Sequence, residues 1–238
     1  MDLEDAPAIP EELSYWERVA LTRWGKYVSE AERRVVQQAH AILGAPGVLL
    51  DYGCGEGRWS KLLCDHGWKA LCLDSDEIAL SKCGRRNRAA QCVLVDRTNA
   101  YLPCKDQILK MLLCIEVRGV LESEWFLHEA VRALSNGGLV VGIFHNRRSL
   151  RGGFRHVVDR LTQKQGYYQR DFSTWKKSYE NAGFRFLLAQ GICWLPFSRA
   201  SDSPLVPALT KIEEQLGLRL LPSFSPWVIF VAQRTRAQ

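Results

Sequence analysis

Apolar residues recur at every third or fourth position between residues 11 and 43, in the segments YWERVALTRW and SEAERRVVQQAHAIL. That period predicts two amphipathic helices. Ser29 is a suitable N-cap for the second helix, and Gly44 and Pro46 would end it. We expect residues 1–45 to form a helical segment ahead of the main domain, because the pattern changes directly afterwards.

From Val48 onward, short apolar runs alternate with segments of helical period. Five runs predict buried strands, namely VLLDYG, KALCLD, AQCVLVD, ILKMLLCIEV and LVVGIFHN. Ser75 or Asp76 would cap one intervening helix, and Asn136-Gly137-Gly138 would form a turn before the fifth strand. Two later runs, FRFLLAQGICWLPF and PWVIFVAQR, predict two more strands. This alternation predicts an α/β fold, a doubly wound parallel sheet with helices on both faces.

A glycine-rich turn, DYGCGEGR, follows the first predicted strand. Gly53 and Gly55 would let the backbone approach a ligand closely. Asp51 precedes them, while Asp74 and Asp96 end the second and third strands, and these ends form the ligand-binding edge of an open α/β sheet. Asp74 suits the two hydroxyls of a ribose, and Asp96 suits an adenine amino group. Three acids that merely cap loops are the structural alternative.

Four segments resemble successive motifs of the class I S-adenosylmethionine-dependent methyltransferases, in their small-molecule branch: LLDYGCGEGRWSKLL, LCLDSDEIAL, VDRTNAYLP and LLCIEV. ALSNGGLVVGIF is similar to that family's entry into strand five. The resemblance spans about residues 46–146. It implies a Rossmann-like, seven-stranded, mostly parallel sheet whose last strand is antiparallel. It also implies a donor-binding domain over residues 46–238, with substrate-capping insertions at about 147–182 and 196–222.

The resemblance implies S-adenosyl-L-methionine as the cofactor, and it suggests which residues bind it. Asp51 would bind the amino group of the methionine part, directly or through water, beside Gly53 and Gly55. Asp74 would hold the ribose hydroxyls. The remaining implied positions are Ser75 at the ribose or adenine, Asp96 and the backbone of Arg97 at the adenine, the backbone near Cys114 at the amino-acid end, and Tyr27 on a segment that covers the donor. Plain packing is the alternative for Tyr27.

A nicotinamide-dinucleotide oxidoreductase is the rival interpretation of the glycine turn. That class carries GxGxxG, whereas this turn is GxGxG with Asp51 two residues ahead of it. An acidic side chain there opposes a pyrophosphate but suits an ammonium group. The turn therefore favours a sulfonium donor.

Two residues are candidates for the base that takes the proton of an oxygen acceptor. His145 comes at the end of the fifth predicted strand, and Glu116 lies just past the fourth. A hydrogen-bonded loop histidine is the structural alternative for His145. Arg147 and Arg148 follow the same edge, where guanidinium groups recognise carboxylates and phosphates. For these arginines the alternative is a solvated basic helix.

The composition is that of a globular protein, because 47% of the 238 residues are hydrophobic and 24% are charged. No apolar run reaches the roughly 18 residues of a membrane helix, and the acidic N-terminus is unlike a secretory signal. We therefore expect a cytoplasmic protein without a membrane span. The eight cysteines show no CxxC pair, which favours reduced core thiols over a zinc site or disulfides, so no metal is expected.

Together these features predict an enzyme that methylates a small-molecule acceptor, in the simplest case an oxygen of an acidic, sugar, lipid or natural-product compound. An RNA or protein methyltransferase is one alternative, motivated by the net charge of +6. Because no RNA-binding module is visible, we expect no nucleic-acid partner. A non-catalytic donor-binding protein is another alternative, since Gly119 and Val120 stand where the family often has Glu-His. The oligomeric state stays open.

Overall fold

The computed structural model describes residues 13–117, 119–163, 166 and 168–235. Its first elements are α1 (Tyr15–Leu21) and α2 (Arg23–Leu43). Thr22 has extended backbone angles, and its side chain accepts a hydrogen bond from the amide of Gly25. Thr22 is therefore the N-cap of α2, and the prediction that Ser29 caps this helix is wrong because Ser29 lies inside it.

Within the described residues, seven strands form one sheet: β1 (Val48–Tyr52), β2 (Lys69–Asp74), β3 (Gln91–Leu94), β4 (Leu109–Cys114), β5 (Leu134–His145), β6 (Phe184–Ile192) and β7 (Trp227–Arg234). The helices that follow α2 are α3 (Arg58–Cys64), α4 (Glu77–Arg86), α5 (Glu124–Ala133), α6 (Leu150–Leu161), α7 (Phe172–Asn181) and α8 (Val206–Gln215), with a 3-10 helix at Leu218–Leu220. None of the described helices combines the length and apolarity needed to cross a membrane.

The strand order is β3-β2-β1-β4-β5-β7-β6. Strands β1 to β5 pair in parallel, and β7 pairs antiparallel with both β5 and β6. The predicted mostly parallel sheet with an antiparallel last strand is confirmed. The order reverses at β1 and β4, so the crevice at their carboxyl ends is the ligand-binding position of this fold.

Both faces of the sheet are covered, as predicted. Alternate strand residues point to opposite faces, so Leu49 belongs to one core cluster and Leu50 to the other. Helices α2 and α3 pack on the first face, and α5 and α7 on the second. On the second face, the indole Nε1 of Trp175 donates a hydrogen bond to the carbonyl of Leu121 at 2.8 Å.

Two local predictions need correction or refinement. Asn136-Gly137-Gly138 lies inside β5 and is not a turn before it. Gly137 has a φ of 81°, and the β4–β5 register shifts between Leu109 and Met111, so a local irregularity accommodates these residues within the strand. Asp76 is the cap of α4, because its side chain accepts hydrogen bonds from the amides of Ile78 and Ala79.

Candidate functional site

The turn between β1 and α3 is built on three glycines with left-handed backbone angles. Gly53, Gly55 and Gly57 have φ values of 71°, 53° and 77°, a region that glycine adopts at little steric cost. The amides of Gly53 and Cys54 donate hydrogen bonds to the carbonyl of Leu73, at 2.8 and 3.0 Å. These bonds fix the turn against the end of β2, at the carboxyl edge of the sheet.

Asp74, the last residue of β2, supports this turn through its carboxylate. Oδ2 accepts a hydrogen bond from the amide of Gly55 at 2.7 Å, and Oδ1 accepts one from the amide of Asp76 at 2.9 Å. A carboxylate offers about four lone-pair positions, so two remain for the hydroxyl groups of a ligand. Asp74 is half-buried, and Ser75 beside it is exposed.

Asp51, near the end of β1, carries a buried oxygen that no described residue satisfies. The residue is only 3% exposed, and Oδ2 has no hydrogen-bond partner in the described part of the chain. Burial raises the pKa of Asp51 to about 7. Because a buried carboxylate oxygen that accepts no hydrogen bond is unfavourable, an N–H group or a cation of a ligand would stabilise Oδ2.

Asp96, Arg97 and Cys114 lie at the ends of β3 and β4. Oδ1 of Asp96 accepts hydrogen bonds from the amide and the hydroxyl of Thr98, and these bonds hold the pKa of Asp96 below its ordinary value. Asp96 and Arg97 are exposed. Cys114 is the last residue of β4 and is buried.

Residues 49–138, which contain the glycine turn and all three acids, match a family model described as a methyltransferase domain. The whole fold is similar to that of a putative S-adenosylmethionine-dependent methyltransferase from Listeria monocytogenes, with a TM-score of 0.62, 14% identity, and coverage of 86% of this chain and 97% of that one. Residues 49–138 are therefore a methyltransferase domain, and the described chain has the fold of the class I S-adenosylmethionine-dependent methyltransferases. S-adenosyl-L-methionine is its cofactor.

Other comparisons place the methyltransferase among distant relatives. It is similar in fold to geranyl diphosphate C-methyltransferase from Streptomyces coelicolor A3(2), with a TM-score of 0.61, 14% identity, and coverage of 96% of this chain and 86% of that one. A curated relative, the uncharacterized protein MJ0638 of Methanocaldococcus jannaschii, is 25% identical over 167 residues, which are 70% of this chain and 67% of that protein.

The carboxyl edge of the methyltransferase fits this cofactor. The donor's ammonium group could satisfy the buried oxygen of Asp51, and the ribose hydroxyls could use the remaining lone pairs of Asp74. A Cβ built on Gly55 would meet no described atom within 4 Å, so the turn has open space in front of it. The individual roles of these residues, with those of Ser75, Arg97 and Cys114, stay predictions.

His145 ends β5 inside an aromatic cluster at the same edge. It is 3% exposed, and its ring lies edge-on to the rings of Trp227 and Tyr168, with centroid distances of 4.9 and 5.9 Å. Nε1 of Trp227 donates a hydrogen bond to the hydroxyl of Tyr168 at 3.1 Å. The role of His145 as a base stays a prediction.

Glu116 follows β4 in a left-handed conformation, with a φ of 62°. Its carboxylate forms an ion pair with Arg199. The guanidinium of Arg199 also lies over the rings of Trp16 and Trp227, at 4.8 and 5.1 Å from their centroids. Burial lowers the pKa of Arg199 to about 10. Arg199 thus joins the two candidate bases, because it contacts Glu116 and also the ring that packs on His145.

Sequence reasoning missed Arg199, Tyr168 and the pair Glu32–Arg58. Arg58 opens α3 directly after the glycine turn, and its guanidinium binds the fully buried carboxylate of Glu32 at 2.5 Å. This pair attaches α2 to the donor loop. The partners are far apart in the chain, so spacing carried no signal. An acidic residue on the otherwise apolar face of α2 was the one available hint.

Arg147 and Arg148 lie next to each other between β5 and α6, and both are exposed. The amide of Arg147 donates a hydrogen bond to the carbonyl of Arg170 at 3.0 Å, and that of Arg148 donates to Oδ1 of Asn146 at 3.1 Å. The backbone is therefore fixed while the guanidinium groups face solvent at the carboxyl edge. Their role in acceptor binding stays a prediction.

Tyr27 is a residue of α2, and its hydroxyl lies beside the C-terminal end of β6. Its hydroxyl donates a hydrogen bond to Oε2 of Glu213 at 2.6 Å and accepts one from the amide of Cys193 at 3.3 Å. It lines a cavity of about 180 Å³ together with Trp194 and Arg219. These contacts favour the packing alternative, and a donor contact of Tyr27 stays a prediction.

The cysteines of the described chain are free thiols. Cys54 of the glycine turn lies near Cys72 and Cys83, with the three sulfur atoms within 4.8 Å of one another. Cys72 and Cys83 are fully buried and belong to the hydrophobic core, in keeping with the interpretation as core thiols.

Proposed function

We propose that this methyltransferase transfers a methyl group to an oxygen atom of a small acceptor with acidic, sugar, lipid or natural-product character. The observation that carries the donor half of this proposal is the unsatisfied, buried oxygen of Asp51, set beside a glycine turn and the half-engaged carboxylate of Asp74. The proposal needs Asp51 to bind the amino group of the donor and Asp74 to bind its ribose hydroxyls.

When bound, the donor supplies an electrophilic methyl group on a sulfonium sulfur. The acceptor oxygen forms a bond to the methyl carbon, the carbon–sulfur bond breaks, and its electron pair stays on sulfur. The acceptor's proton passes to a base, for which we propose His145 first and Glu116 second. The protein contributes alignment of the two substrates and exclusion of water by the aromatic cluster of Tyr168 and Trp227.

The acceptor side favours a molecule with an anionic group. Arg147 and Arg148 are exposed beside β5, and arginine forks suit carboxylates and phosphates. Aromatic rings around His145 suit an apolar body. The Streptomyces coelicolor neighbour was crystallised with geranyl diphosphate, which combines both properties. A neighbour from Galdieria sulphuraria is a putative sarcosine dimethylglycine methyltransferase, with a TM-score of 0.58 and 13% identity.

Two measurements test this function. Calorimetry with S-adenosylmethionine tests donor binding, and transfer of a labelled methyl group to a panel of carboxylates, phosphorylated sugars and prenyl phosphates tests the acceptor. His145→Ala should lower turnover and spare donor affinity, whereas His128→Ala, an exposed position on α5, should change neither. Failure to bind the donor at millimolar concentration would overturn the proposal, and unchanged turnover in His145→Ala would remove the base from it.

The rival functions give different results in the same experiments. An RNA methyltransferase would bind RNA with an affinity that falls steeply with salt. A non-catalytic donor-binding protein would bind S-adenosylmethionine and transfer no label to any acceptor.

A further inference from the structure

Helix α6 carries an apolar stripe that faces away from the protein. Leu150, Phe154, Val157 and Leu161 are 96%, 75%, 55% and 79% exposed. Their spacing of four, three and four residues puts them within about 60° of one another around the helix axis. These four residues, here called the α6 stripe, form a continuous apolar surface along the helix.

The opposite side of α6 attaches the helix to the protein through small and polar residues. A Cβ on Gly152 would lie 2.2 Å from the carbonyl oxygen of Asn146, so the backbones are in close contact there. Nδ1 of His156 lies 2.9 Å from the carbonyl oxygen of Tyr168, and Asp159 is buried. An ordinary surface helix buries its apolar side. Because α6 does the reverse, packing among the residues that the structure describes does not account for the stripe.

Positive charge surrounds the stripe. The sequence from 147 to 163 contains five arginines and one acidic residue, Asp159, and that carboxylate is buried in an ion pair with Arg155 at 3.1 Å. Four of the five arginines are exposed, whereas the guanidinium of Arg151 donates to backbone carbonyls of the protein. Leu221 and Phe224 are further exposed apolar side chains, in the segment around Ser223. The side-chain amide of Asn146, just ahead of α6, donates a hydrogen bond to the carbonyl of Ser223 at 2.9 Å, which ties the two segments together.

We propose that α6 docks this protein onto the surface of an anionic lipid bilayer. The α6 stripe would enter the boundary between headgroups and acyl chains, and Arg155 and Arg160, which are exposed on the same helix, would bind lipid phosphates, as in interfacial amphipathic helices. Charge favours this occupant over a second copy of the chain, because two copies meeting at this helix would bring their arginines together.

Docking through α6 would hold the carboxyl edge of the sheet at the bilayer. The helix follows β5 almost directly, and its inner face contacts Tyr168, whose ring packs on His145. The inference does not rest on the proposed acceptor, because lipid binding is measured without methyl transfer.

Co-sedimentation of the full chain with vesicles tests the proposal. Vesicles of phosphatidylcholine and phosphatidylglycerol, in a ratio of about three to one, should pellet the protein, and vesicles of phosphatidylcholine alone should pellet much less. Phe154→Asp and Leu161→Asp should each reduce partitioning by about tenfold or more, and Arg160→Gln by about fivefold. Ile42→Asp is the matched control, because Ile42 is an exposed apolar residue on α2 and should leave partitioning unchanged.

Calorimetry with S-adenosylmethionine shows that each variant is folded, since none of the changed residues touches the donor turn. The proposal is overturned if the wild-type chain stays in the supernatant with anionic vesicles. It is also overturned if both aspartate variants of the stripe pellet as the wild type does. A wild-type dimer that Phe154→Asp converts to a monomer, without any vesicle binding, would show that a second copy covers the stripe and would equally overturn it.

Discussion

The carboxylate of Asp74 and the backbone amide of Gly55 are joined by a hydrogen bond of 2.7 Å. One end of β2 is thereby tied to the glycine turn that follows β1. The same carboxylate accepts a second bond from the amide of Asp76, at the start of α4. The side chain of Asp74, which would bind the ribose, thus also holds the glycine turn over which the donor would lie. Loss of this side chain would therefore affect both the ribose contact and the conformation of the turn.

Replacing Asp74 should therefore weaken donor binding by more than one route. We expect Asp74→Ala to weaken the affinity for S-adenosylmethionine by about 1–3 kcal/mol, through loss of the ribose bonds and of the support for Gly55. Calorimetry measures this change. Asp65→Ala is the control, because Asp65 pairs with Lys61 on the surface of α3 and should alter the affinity little. An Asp74→Ala variant with wild-type affinity would exclude the ribose role.

Donor binding should strengthen as pH rises, because burial raises the pKa of Asp51 to about 7. Below that pH the carboxyl group is neutral, so it attracts an ammonium group less strongly than the carboxylate does. We expect the affinity for S-adenosylmethionine to rise between about pH 6 and about pH 8, with release of a proton on binding. Calorimetry in buffers of different ionisation enthalpy detects that proton. Asp51→Asn should lose the released proton, and a wild-type value in this variant would contradict the assignment.

Without the donor, the free energy of unfolding should fall as pH rises, which is the opposite of the trend in donor affinity. The folded-state pKa of Asp51 lies above its ordinary value of 3.8, so the folded chain keeps a proton that the unfolded chain has released. The resulting stabilisation is present in full below the ordinary pKa and is lost as pH rises through about 7, at up to about 1.4 kcal/mol per pH unit. Denaturant unfolding at several pH values should show a flatter profile for Asp51→Asn.

The two glycines that open the turn should tolerate alanine differently. A Cβ on Gly53 would lie 2.3 Å from Cγ2 of Val117, whereas a Cβ on Gly55 would meet no described atom within 4 Å. Both have positive φ, so each substitution should cost about 1 kcal/mol of stability through the backbone. Gly53→Ala should cost about 1–3 kcal/mol more through the clash. Thermal unfolding compares them, and equal losses would contradict the contact with Val117.

Removal of Arg199 should affect acceptor chemistry more than donor binding. Arg199 pairs with Glu116 and lies over Trp227, so Arg199→Gln would release the groups around the two candidate bases. We expect turnover to fall by about tenfold or more, while the affinity for S-adenosylmethionine changes little. Arg185→Gln on β6, whose partner is Gln233, is the control. A loss of donor affinity equal to the loss of turnover would show that Arg199 acts on the turn instead.

Local period predicted most of the fold. The runs at Val48, Lys69 and Leu109 became strands because each is apolar on both faces and both faces of the sheet are covered. The two wrong predictions concern short segments whose residues suit two different local structures. Serine and threonine are both suitable N-cap residues, and in the folded protein Thr22 caps α2 while Ser29 lies inside the helix. The glycines at 137 and 138 suit a turn as well as an irregular strand.

Only those residues of the candidate site that lie at the carboxyl ends of successive strands could be predicted from the sequence. Each of the three acids, Asp51, Asp74 and Asp96, lies at or near the carboxyl end of a parallel strand. These strand ends meet at one edge of the sheet, so the alternation of strands and helices predicted that the acids lie there. Arg199 pairs with Glu116 from a loop far along the chain, and Tyr168 lies beside His145 across an irregular segment. Contacts between distant loops leave no periodic signal, so they became visible only in three dimensions.

The position of β7 has a consequence for synthesis of the chain. Of the seven described strands it is synthesised last, yet it fills the place between β5 and β6. Until β7 has been synthesised, β5 and β6 each lack a neighbour and expose strand edges, which are sites of intermolecular pairing. The sheet is therefore complete only once β7 has been synthesised, and the nascent protein is most prone to aggregate in the interval before that.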